Sequence, residues 1–412
     1  MFQNPHRSLL CFAIFLFGCD FGTISSESIN YLPLDDTEYP YAGLPRLVIE
    51  TEKLQQISDS LAEIQARLQV YGKNAPETEV YTITLKGHGN SSFNGMPKPS
   101  YKVDFSKNLE FLGMPREKDW VLLANFADRS HLKNFITFKL YSWLGAPWSP
   151  RAEFVEVFLN RKYQGLYLAT EKIKRDKFRV NLPKSGTGFL AEYDDKYDPG
   201  EKIFLSRSGV PLHIKYPKDI SDSAANTFIA FYDSVETIIK SGDYGNKLNK
   251  LEQVLDIEAY LRFFWIQEFS KNHDGYGSST YFTWIIGNNL NYGPIWDMDL
   301  AYGEPLKDHS VPGFWFMKHR WNKYLLANTE FKERAYSFWE DNLRTFSAVL
   351  DSIPLYAKTI TRATDNEFKR WPTLENTENW TFYESYESYN DAVDALRNWI
   401  KQRIDWITRE IQ

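Results

Sequence analysis

Cysteine is nearly absent from this 412-residue chain, which contains only Cys11 and Cys19. Both lie near its start, so the rest of the chain has no thiol for a disulfide framework, a cysteine-ligated metal or a cysteine nucleophile. Stability must therefore come from a packed core. The composition is consistent with a packed core, because 43% of the residues are hydrophobic and 16% are aromatic. The length is enough for one large domain or two ordinary ones.

The chain also lacks an excess of basic residues and a histidine pair at metal-ligand spacing. It has 48 Lys and Arg against 54 Asp and Glu, for a net charge of −6. This balance argues against a nucleic-acid partner. His273 has no second histidine at zinc-ligand spacing, which argues against a zinc site.

The apolar run at residues 9–18 is too short to span a bilayer as a permanent helix. Arg7 precedes it, and Leu16-Phe17-Gly18-Cys19 follows the pattern of a bacterial lipobox, with Phe17 departing from it. We predict a lipoprotein signal peptide at 1–18, a lipidated Cys19 that attaches the chain to a membrane, and a flexible tether at 19–40. The protein would then lie in a bacterial cell envelope, lipid-anchored or secreted. A plain secretory signal with an incidental cysteine is the alternative.

The distribution of strand and helix patterns predicts an α+β fold in one domain at 41–412. Strand patterns fill a β-rich N-terminal lobe at about 41–218, and helical patterns fill a C-terminal lobe at about 219–412. The predicted strands lie at 44–49, 79–86, 101–105, 154–159, 165–170, 189–193 and 211–216. The predicted helices lie at 51–68, 128–144, 224–241, 257–269 and 392–411. A cleft between two such lobes is a natural ligand site.

Three aspartates near the start of the second lobe form the main candidate site. Asp274 lies in the polar loop NHDGYG, and Asp297 and Asp299 follow the next apolar run in IWDMDLAYG. Two strands joined by a turn would bring these carboxylates close together. Carboxylate ligands in a site without His or Cys favour Mg²⁺, Mn²⁺ or Ca²⁺ as the bound metal ion. The alternative role for Asp274 is a turn or helix cap. The alternative for Asp297 and Asp299 is that they are solvated acids at a strand end, but their apolar neighbours favour partial burial.

A glycine- and serine-rich loop at 87–92 precedes a strand that carries Lys102. Backbone N–H groups and the hydroxyls of Ser91 and Ser92 can hold phosphate oxygens, although an ordinary hairpin loop has the same composition. A strand lysine after such a loop is also found in kinases, where it pairs with nucleotide phosphates. It needs an acidic partner, for which Glu171 is the candidate, with Glu192 behind it. The alternative is an edge-strand charge that prevents aggregation.

Several sequence blocks, taken together and in order, resemble the CotH protein-kinase family. The blocks are LKGHGNSSFNGMPKPSYKVDF (85–105), WVLLANFADRSHLKN (120–134), GLYLATEKI (165–173), FLAEYD (189–194), HIKYP (213–217), NHDGYG (272–277), IWDMDLAYG (295–303) and DALRNWIKQRIDWI (394–407). The resemblance implies a two-lobed atypical protein-kinase-like fold. It also implies an ATP-binding cleft and phosphorylation of protein hydroxyls that depends on Mg²⁺, with Mn²⁺ as a possible substitute.

The resemblance also implies roles for individual residues. Asp274 takes the catalytic-loop position, Asp297 the metal-binding position, and Asp299 that of a supporting ligand. Lys102 takes the nucleotide-phosphate position with Glu171 as ion-pair partner, and Ser91 and Ser92 take the phosphate loop. The chain departs from many relatives in two places. His88 stands where they have Arg, and Ser278 to Thr280 stand where they have Asn, a probable metal ligand.

Three functions are consistent with these residues. The leading one is an exported kinase that transfers phosphate from ATP to Ser or Thr of a protein. The second is a surface-anchored binding or adhesion module on a catalytically weak kinase-like scaffold. The third is a Ca²⁺-dependent carbohydrate enzyme that uses Asp274 and Asp297, although the Gly/Ser loop and Lys102 argue against it.

Overall fold

The computed structural model has mixed α+β architecture, with a β-rich N-terminal part and a helical C-terminal part, as the sequence predicts. It describes residues 31–76, 78–89, 91–197, 201–275, 277–303, 310–375 and 385–412, without the side chains of Ser91 and Ser92. The predicted signal peptide and the first part of the predicted tether lie outside these ranges. Among the described residues, no helix combines the length and apolar character needed to cross a membrane.

Seven strands of the N-terminal part close into a barrel in the order β1-β2-β3-β4-β5-β7-β6. These strands are β1 (Arg46–Thr51), β2 (Ile64–Tyr71), β3 (Tyr81–His88), β4 (Ser100–Phe111), β5 (Met114–Leu123), β6 (Ala152–Leu159) and β7 (Lys162–Glu171). All neighbours are antiparallel except β1 and β6, whose parallel pairing closes the barrel. Alternate side chains fill the interior with apolar groups such as Leu68, Val103, Trp120 and Tyr167.

The helix predicted at 51–68 is wrong, because the second half of this segment forms β2. Ile64 and Leu68 are four residues apart, and this spacing fits a strand of period two as well as a helical turn. In the structure Leu68 lies in the barrel interior, and Ile64 is buried on the same face of β2. Leu54 and Leu61, which would have continued the helical stripe, are 46% and 58% exposed.

The packed part of the chain begins earlier than predicted, inside the segment assigned as tether. Leu32 is fully buried in a small cluster on the barrel that includes Val48 and Tyr163. Its N–H donates to Gln69 Oε1 at 3.1 Å and its carbonyl accepts from the Tyr71 hydroxyl at 2.5 Å. The residues just before 41 therefore belong to the fold.

A second sheet lies after the barrel in the chain, with the order β12-β11-β8-β10-β9. Its strands are β8 (Gly188–Tyr193), β9 (Ile203–Leu205), β10 (Pro211–Tyr216), β11 (Thr280–Ile285) and β12 (Asn291–Tyr292). Phe189 and Trp284 of this sheet stack on Phe228 and Phe231 of a helix that covers one face. Ala191 and Tyr193 of β8 lie on the face of the sheet that the helix covers. Because successive side chains of a strand point to opposite faces, Glu192, which lies between them, points to the other face.

The helices are mainly in the C-terminal part, and most lie close to their predicted positions. They are α1 (Ser91–Asn94), α2 (Lys133–Trp143), α3 (Asp222–Ser241), α4 (Ile257–Ser270), α5 (Asn322–Leu325), α6 (Thr329–Arg370) and α7 (Tyr389–Ile411). Side-chain N-caps explain four starts: Ser221, Asp256, Asn328 and Ser388 each accept from a backbone N–H of the first turn. The helix predicted from residue 128 begins at Lys133, because Asp128 accepts from Ser130 and from the Lys133 N–H in a turn before it.

A buried ion pair ties the barrel to the long helix α6. Lys98 is fully buried, and its Nζ lies 2.7 Å from Glu367 Oε1 on α6, 3.0 Å from the Ala124 carbonyl and 2.5 Å from the Leu166 carbonyl. Glu367 also accepts the Leu166 N–H at 2.6 Å. Both charges are therefore compensated, as burial requires.

Candidate active site

The loop that carries Asp274 begins where α4 ends. Lys271 adopts a left-handed conformation with φ of 49°, which stops the helix. The Asp274 N–H donates to Asn272 Oδ1 at 3.2 Å, and the Asp274 carbonyl accepts from Gly277 and Ser278 at 3.0 and 3.1 Å. The loop is thus fixed by its own hydrogen bonds. The half-buried Asp274 carboxylate has Lys196 Nζ at 3.8 Å.

The segment that carries Asp297 and Asp299 follows β12 and is irregular. Asn272 Nδ2 donates to the Asp297 carbonyl at 3.3 Å, and Asn134 Oδ1 accepts from the Met298 N–H at 2.9 Å. Met298 is fully buried, so it anchors the two aspartates on either side of it. Asp297 has φ of 61°, which is uncommon for a residue other than glycine, although aspartate adopts it more readily than most. The prediction that these acids end a strand is wrong, since β12 ends at Tyr292.

The structure brings Asp274, Asp297 and Asp299 into one acidic group. Burial, the charge of Asp299 and a hydrogen bond with it raise the pKa of Asp297 well above its ordinary value. Burial also raises the pKa of Asp299, although a hydrogen bond with Asp297 and the charge of Lys133 oppose the rise and Asp274 adds to it. Ser279 Oγ donates to Asp297 Oδ2 at 3.4 Å. Burial and the neighbouring carboxylates thus destabilise the ionised form of Asp297 most, so the group favours a cation or a shared proton.

This donor set fits a hard divalent cation that is only partly coordinated by protein. In the described part of the chain, no three His, Cys, Asp or Glu side chains are arranged to hold a metal ion by themselves. Mg²⁺ is usually held by one or two carboxylates together with water and substrate phosphates. The Asp297–Asp299 pair meets that requirement, and the remaining ligands would come from substrate.

Four lysines surround His88 on the other side of the site, and we call them the lysine cluster. They are Lys86 on β3, Lys102 on β4, Lys172 just after β7 and Lys215 on β10. Burial and the charges of Lys172, Lys102, Lys86 and Lys215 lower the pKa of His88 to about 3. His88 is therefore a neutral ring near several cations, two of which, Lys102 and Lys215, also pair with acidic residues, and such a group of cations can attract an anion.

Lys172 is the member of the lysine cluster most affected by its surroundings. Burial and the charge of Lys102 lower its pKa to about 8, although Asp119 and Asp104 act in the opposite direction. Lys172 is not among the site residues predicted from the sequence. It lies two residues after Thr170, and Thr170 is in register with Val121 and Lys102. Strand alternation therefore places Lys172 and Lys102 on the same face.

A contact between His88 and Trp296 joins the lysine cluster to the acidic group. The two rings lie edge to face, with centroids 6.4 Å apart. Trp296 is held from the other side by Phe138, with which it stacks at 5.9 Å. Since Trp296 directly precedes Asp297, this pair of rings links the strand beside the lysine cluster to the segment that carries Asp297 and Asp299.

The predicted ion pair between Lys102 and Glu171 is wrong. Glu171 is fully buried and binds Arg151 Nη2 at 2.7 Å, with Arg179 at 3.6 Å. The register gives the reason: Glu171 pairs with Trp120, whose side chain fills the barrel, whereas Lys102 lies on the outer face.

Lys102 pairs instead with Asp104 on its own strand. Asp104 lies directly opposite Asp119 of β5. Burial and a hydrogen bond with Asp119 raise the pKa of Asp104 to about 6. Burial would also raise the pKa of Asp119, but hydrogen bonds with Asp104 and Lys174 lower it below its ordinary value.

Glu192 lies in the site, but its partner is Lys215 rather than Lys102. Lys215 Nζ lies 2.8 Å from Glu192 Oε2. The hydroxyl of Tyr281, on the neighbouring strand, also hydrogen bonds to Glu192. Glu192 therefore fixes the second-sheet side of the lysine cluster.

The predicted phosphate loop is only partly described. Ser91 and Ser92 begin the short helix α1, and their side chains lie outside the described residues. Gly87 has a packing role, because a Cβ there would meet the Phe93 ring at 2.4 Å.

This is an α+β protein whose site sets four lysines against three aspartates. The chain belongs to the CotH family, since the family model described as CotH kinase protein matches residues 85–407. It is also similar to the inner spore coat protein H of Bacillus subtilis (strain 168), with 24% identity over 217 residues. That match covers 52% of this chain and 58% of the relative, so the chain spans little more than half of it.

Proposed function

We propose that this protein is an exported kinase that transfers a phosphoryl group from ATP to Ser or Thr hydroxyls of a protein. Its fold would be a two-lobed kinase-like one, with the barrel lobe at about 41–218 and the helical lobe at about 219–412. Membership of the CotH kinase family supports the class of reaction. The observation that carries the proposal is the meeting of the lysine cluster and the acidic group across His88 and Trp296.

In this proposal the lysine cluster binds the phosphates of ATP. Lys102 and Lys172 act from the barrel, and Lys215 acts from the second sheet, where Glu192 orients it. Phosphoryl transfer depends on positioning and on compensation of negative charge, so several cations around a polyphosphate suit it.

Asp297 and Asp299 would hold Mg²⁺ or Mn²⁺, which supplies charge compensation for the phosphates when bound. Burial raises the pKa of both carboxylates, and Lys133 opposes the rise only in part at Asp299, so a bound cation would favour their ionised forms. Asp274 would then accept a hydrogen bond from the Ser or Thr hydroxyl and take its proton as the hydroxyl oxygen bonds to the γ-phosphorus of ATP and the bond from that phosphorus to the bridging oxygen breaks, so that ADP leaves.

We also propose that the protein is associated with the cell envelope. The relative is by name an inner spore coat protein. The lipid anchor at Cys19 lies outside the described residues and remains part of this proposal. Metabolic labelling with a palmitate analogue tests it, because Cys19→Ser should abolish the label and release the protein.

Calorimetry with ATP on the purified full chain tests the catalytic proposal. We expect binding only with Mg²⁺ or Mn²⁺. Asp297→Asn should weaken it by about tenfold or more through loss of a ligand. Asp274→Asn should retain binding but lower phosphate transfer to a Ser-rich protein by about a hundredfold or more. Lys107→Met, at an exposed ion pair on the barrel, is the control.

A folded wild-type chain that binds no ATP with either metal would overturn the kinase proposal. It would favour the surface-anchored binding module. Ser278 to Thr280 stand where relatives have an Asn that is a probable metal ligand. ATP binding with slow phosphate transfer would therefore indicate a kinase weakened by the loss of that ligand.

A further inference from the structure

The segment at residues 310–317, which we call the strap, follows the acidic group in the chain and has little regular structure. Such a segment leaves many carbonyls and N–H groups to be satisfied by side chains. Lys271, at the end of α4, donates hydrogen bonds to several oxygen atoms of the strap. Its Nζ lies 2.9 Å from the Ser310 carbonyl, 3.0 Å from Ser310 Oγ and 3.0 Å from the Pro312 carbonyl.

Arg403 of α7 holds the middle of the strap. It is fully buried, and its Nη1 donates to the Val311 and Gly313 carbonyls at 2.6 and 2.9 Å. Its Nη2 donates to Glu268 of α4, both to the carbonyl at 2.9 Å and to Oε1 at 2.8 Å. One guanidinium therefore joins α7, α4 and the strap.

Glu268 holds the far end of the strap. Its Oε1 accepts from the Trp315 N–H at 2.9 Å, and its Oε2 accepts from the Met317 N–H at 2.7 Å. A fully buried carboxylate is costly unless its oxygens are satisfied. Here both oxygens serve the strap, so the position of Trp315 depends on a charged network rather than on regular structure.

Trp315 connects this network to the candidate catalytic loop. Its ring lies against His273, with centroids 4.1 Å apart, and against His319 at 4.7 Å. His273 is buried and directly precedes Asp274, whereas Trp315 is half-buried and presents part of its ring to solvent. The contacts thus run from Arg403 through Glu268 and Trp315 to the residue beside Asp274.

We infer that Glu268, Lys271 and Arg403 are positioning residues that hold Trp315 against His273, and that the Trp315 ring contacts the protein segment carrying the acceptor hydroxyl. This rests on the proposed kinase function and deepens it. A partly exposed aromatic ring against the residue that precedes Asp274 suits an extended polypeptide, because aromatic rings bury a large apolar area against the groups that pack on them. It also gives the sequence block at 394–407 a role, because that block supplies Arg403.

Steady-state kinetics with a Ser-rich protein acceptor test the inference. Trp315→Leu should raise the KM for the acceptor about tenfold and leave the KM for ATP within about twofold, since only acceptor binding is changed. Arg403→Lys, which keeps the charge but loses the forked donor geometry, should give the same pattern. Lys401→Met, at an exposed i,i+4 pair on the same helix, is the matched control and should change neither constant.

Hydrogen exchange gives a readout that does not require activity. The amides of Trp315 and Met317 should exchange about tenfold faster in Glu268→Gln and Arg403→Lys than in the wild type, while the core of α4 stays protected. If the wild type transfers no phosphate, the proposed function fails, and the exchange data still decide whether the network holds the strap. If the wild type is active and Trp315→Leu leaves the acceptor KM unchanged, the inference alone is overturned. Unchanged exchange in both network variants overturns the positioning role.

Discussion

Asp104 and Asp119 face each other across β4 and β5 and share a hydrogen bond on the outer surface of the barrel. Lys102 pairs with the first of them and Lys174 with the second. The charge of the lysine cluster therefore depends on a carboxyl pair beside it. Burial and the Asp119 hydrogen bond raise the pKa of Asp104 to about 6, so it gains a proton when the pH falls below neutral.

Asp104→Asn should remove one pH dependence of ATP binding. In the wild type, protonation of Asp104 below about pH 6 cancels a negative charge next to Lys102, so the affinity of the wild type relative to that of the variant should rise as the pH falls from 7 to 5. The variant lacks this charge at every pH, so its affinity should already be high at pH 7. Fluorescence titration with a labelled ATP analogue at several pH values measures the slope, and a parallel slope in both proteins would contradict the prediction.

The same carboxyl group affects stability with a definite sign. The pKa of Asp104 is higher in the folded protein than its ordinary value of 3.8, so the folded state holds more protons between about pH 4 and 6. Its contribution to the free energy of unfolding should therefore fall as the pH rises through that window. Urea unfolding of the wild type and Asp104→Asn should show this part of the slope only in the wild type.

Lys172 should impose a second pH dependence at higher pH. Burial and the charge of Lys102 lower its pKa to about 8, so it loses its positive charge between pH 7 and 9. ATP affinity should fall over that range, because one cation of the cluster is lost. Lys172→Arg stays charged and should flatten the fall, whereas Lys172→Met should be weak throughout. An equally steep fall in Lys172→Arg would show that another group titrates.

The buried pair between Lys98 and Glu367 should matter far more to stability than an exposed pair. Lys98→Met leaves the Glu367 carboxylate buried without its partner and should lower the free energy of unfolding by about 3–5 kcal/mol. Lys107→Met breaks the pair with Glu79, whose partners are 67% and 64% exposed, and should cost about 0–1 kcal/mol. Chemical denaturation at neutral pH compares the two, and similar losses would refute the assignment.

Glu171→Gln should separate structural from ligand-binding roles. Glu171 joins Arg151 and Arg179 on the inner side of the barrel sheet, away from Lys102. The loss of its charge should lower the free energy of unfolding by about 3 kcal/mol or more. ATP affinity of the folded variant should stay within about twofold of the wild type, since the lysine cluster is intact. A selective loss of ATP binding would restore the kinase-like pairing that the structure contradicts.

Much of the fold was predictable, because most elements carry one clear period. Alternation marked the strands, and the long stripe at 392–411 marked α7 (Tyr389–Ile411). The helix expected at 51–68 failed because a spacing of four fits both periods. Short segments of this kind are decided by the partners they meet, and the pairing of β2 with β1 and β3 is not visible in local sequence.

The acidic half of the site was easier to predict than the basic half. Asp274, Asp297 and Asp299 lie in two short blocks whose composition indicates loops beside apolar runs, so their proximity follows from local sequence. Lys172 and Lys215 come from separate sheets, and only the register and packing of those sheets bring them to His88. The prediction that Glu171 pairs with Lys102 was wrong for the same reason. A shift of one residue in the strand register moves a side chain to the opposite face of the sheet, and that register is not visible in the sequence.

The closure of the barrel has a consequence for folding. β1 finds its parallel partner only in β6, where residues 46–49 pair with residues 156–159. Pairing over such a separation requires closure of a long loop, which slows folding, and leaves the edge of β1 unpaired until the later strand is available. The unfolded chain thus exposes an unpaired strand edge that can pair with other chains. The yield of folded protein should therefore increase with chaperones and with dilution, even if the folded state is stable.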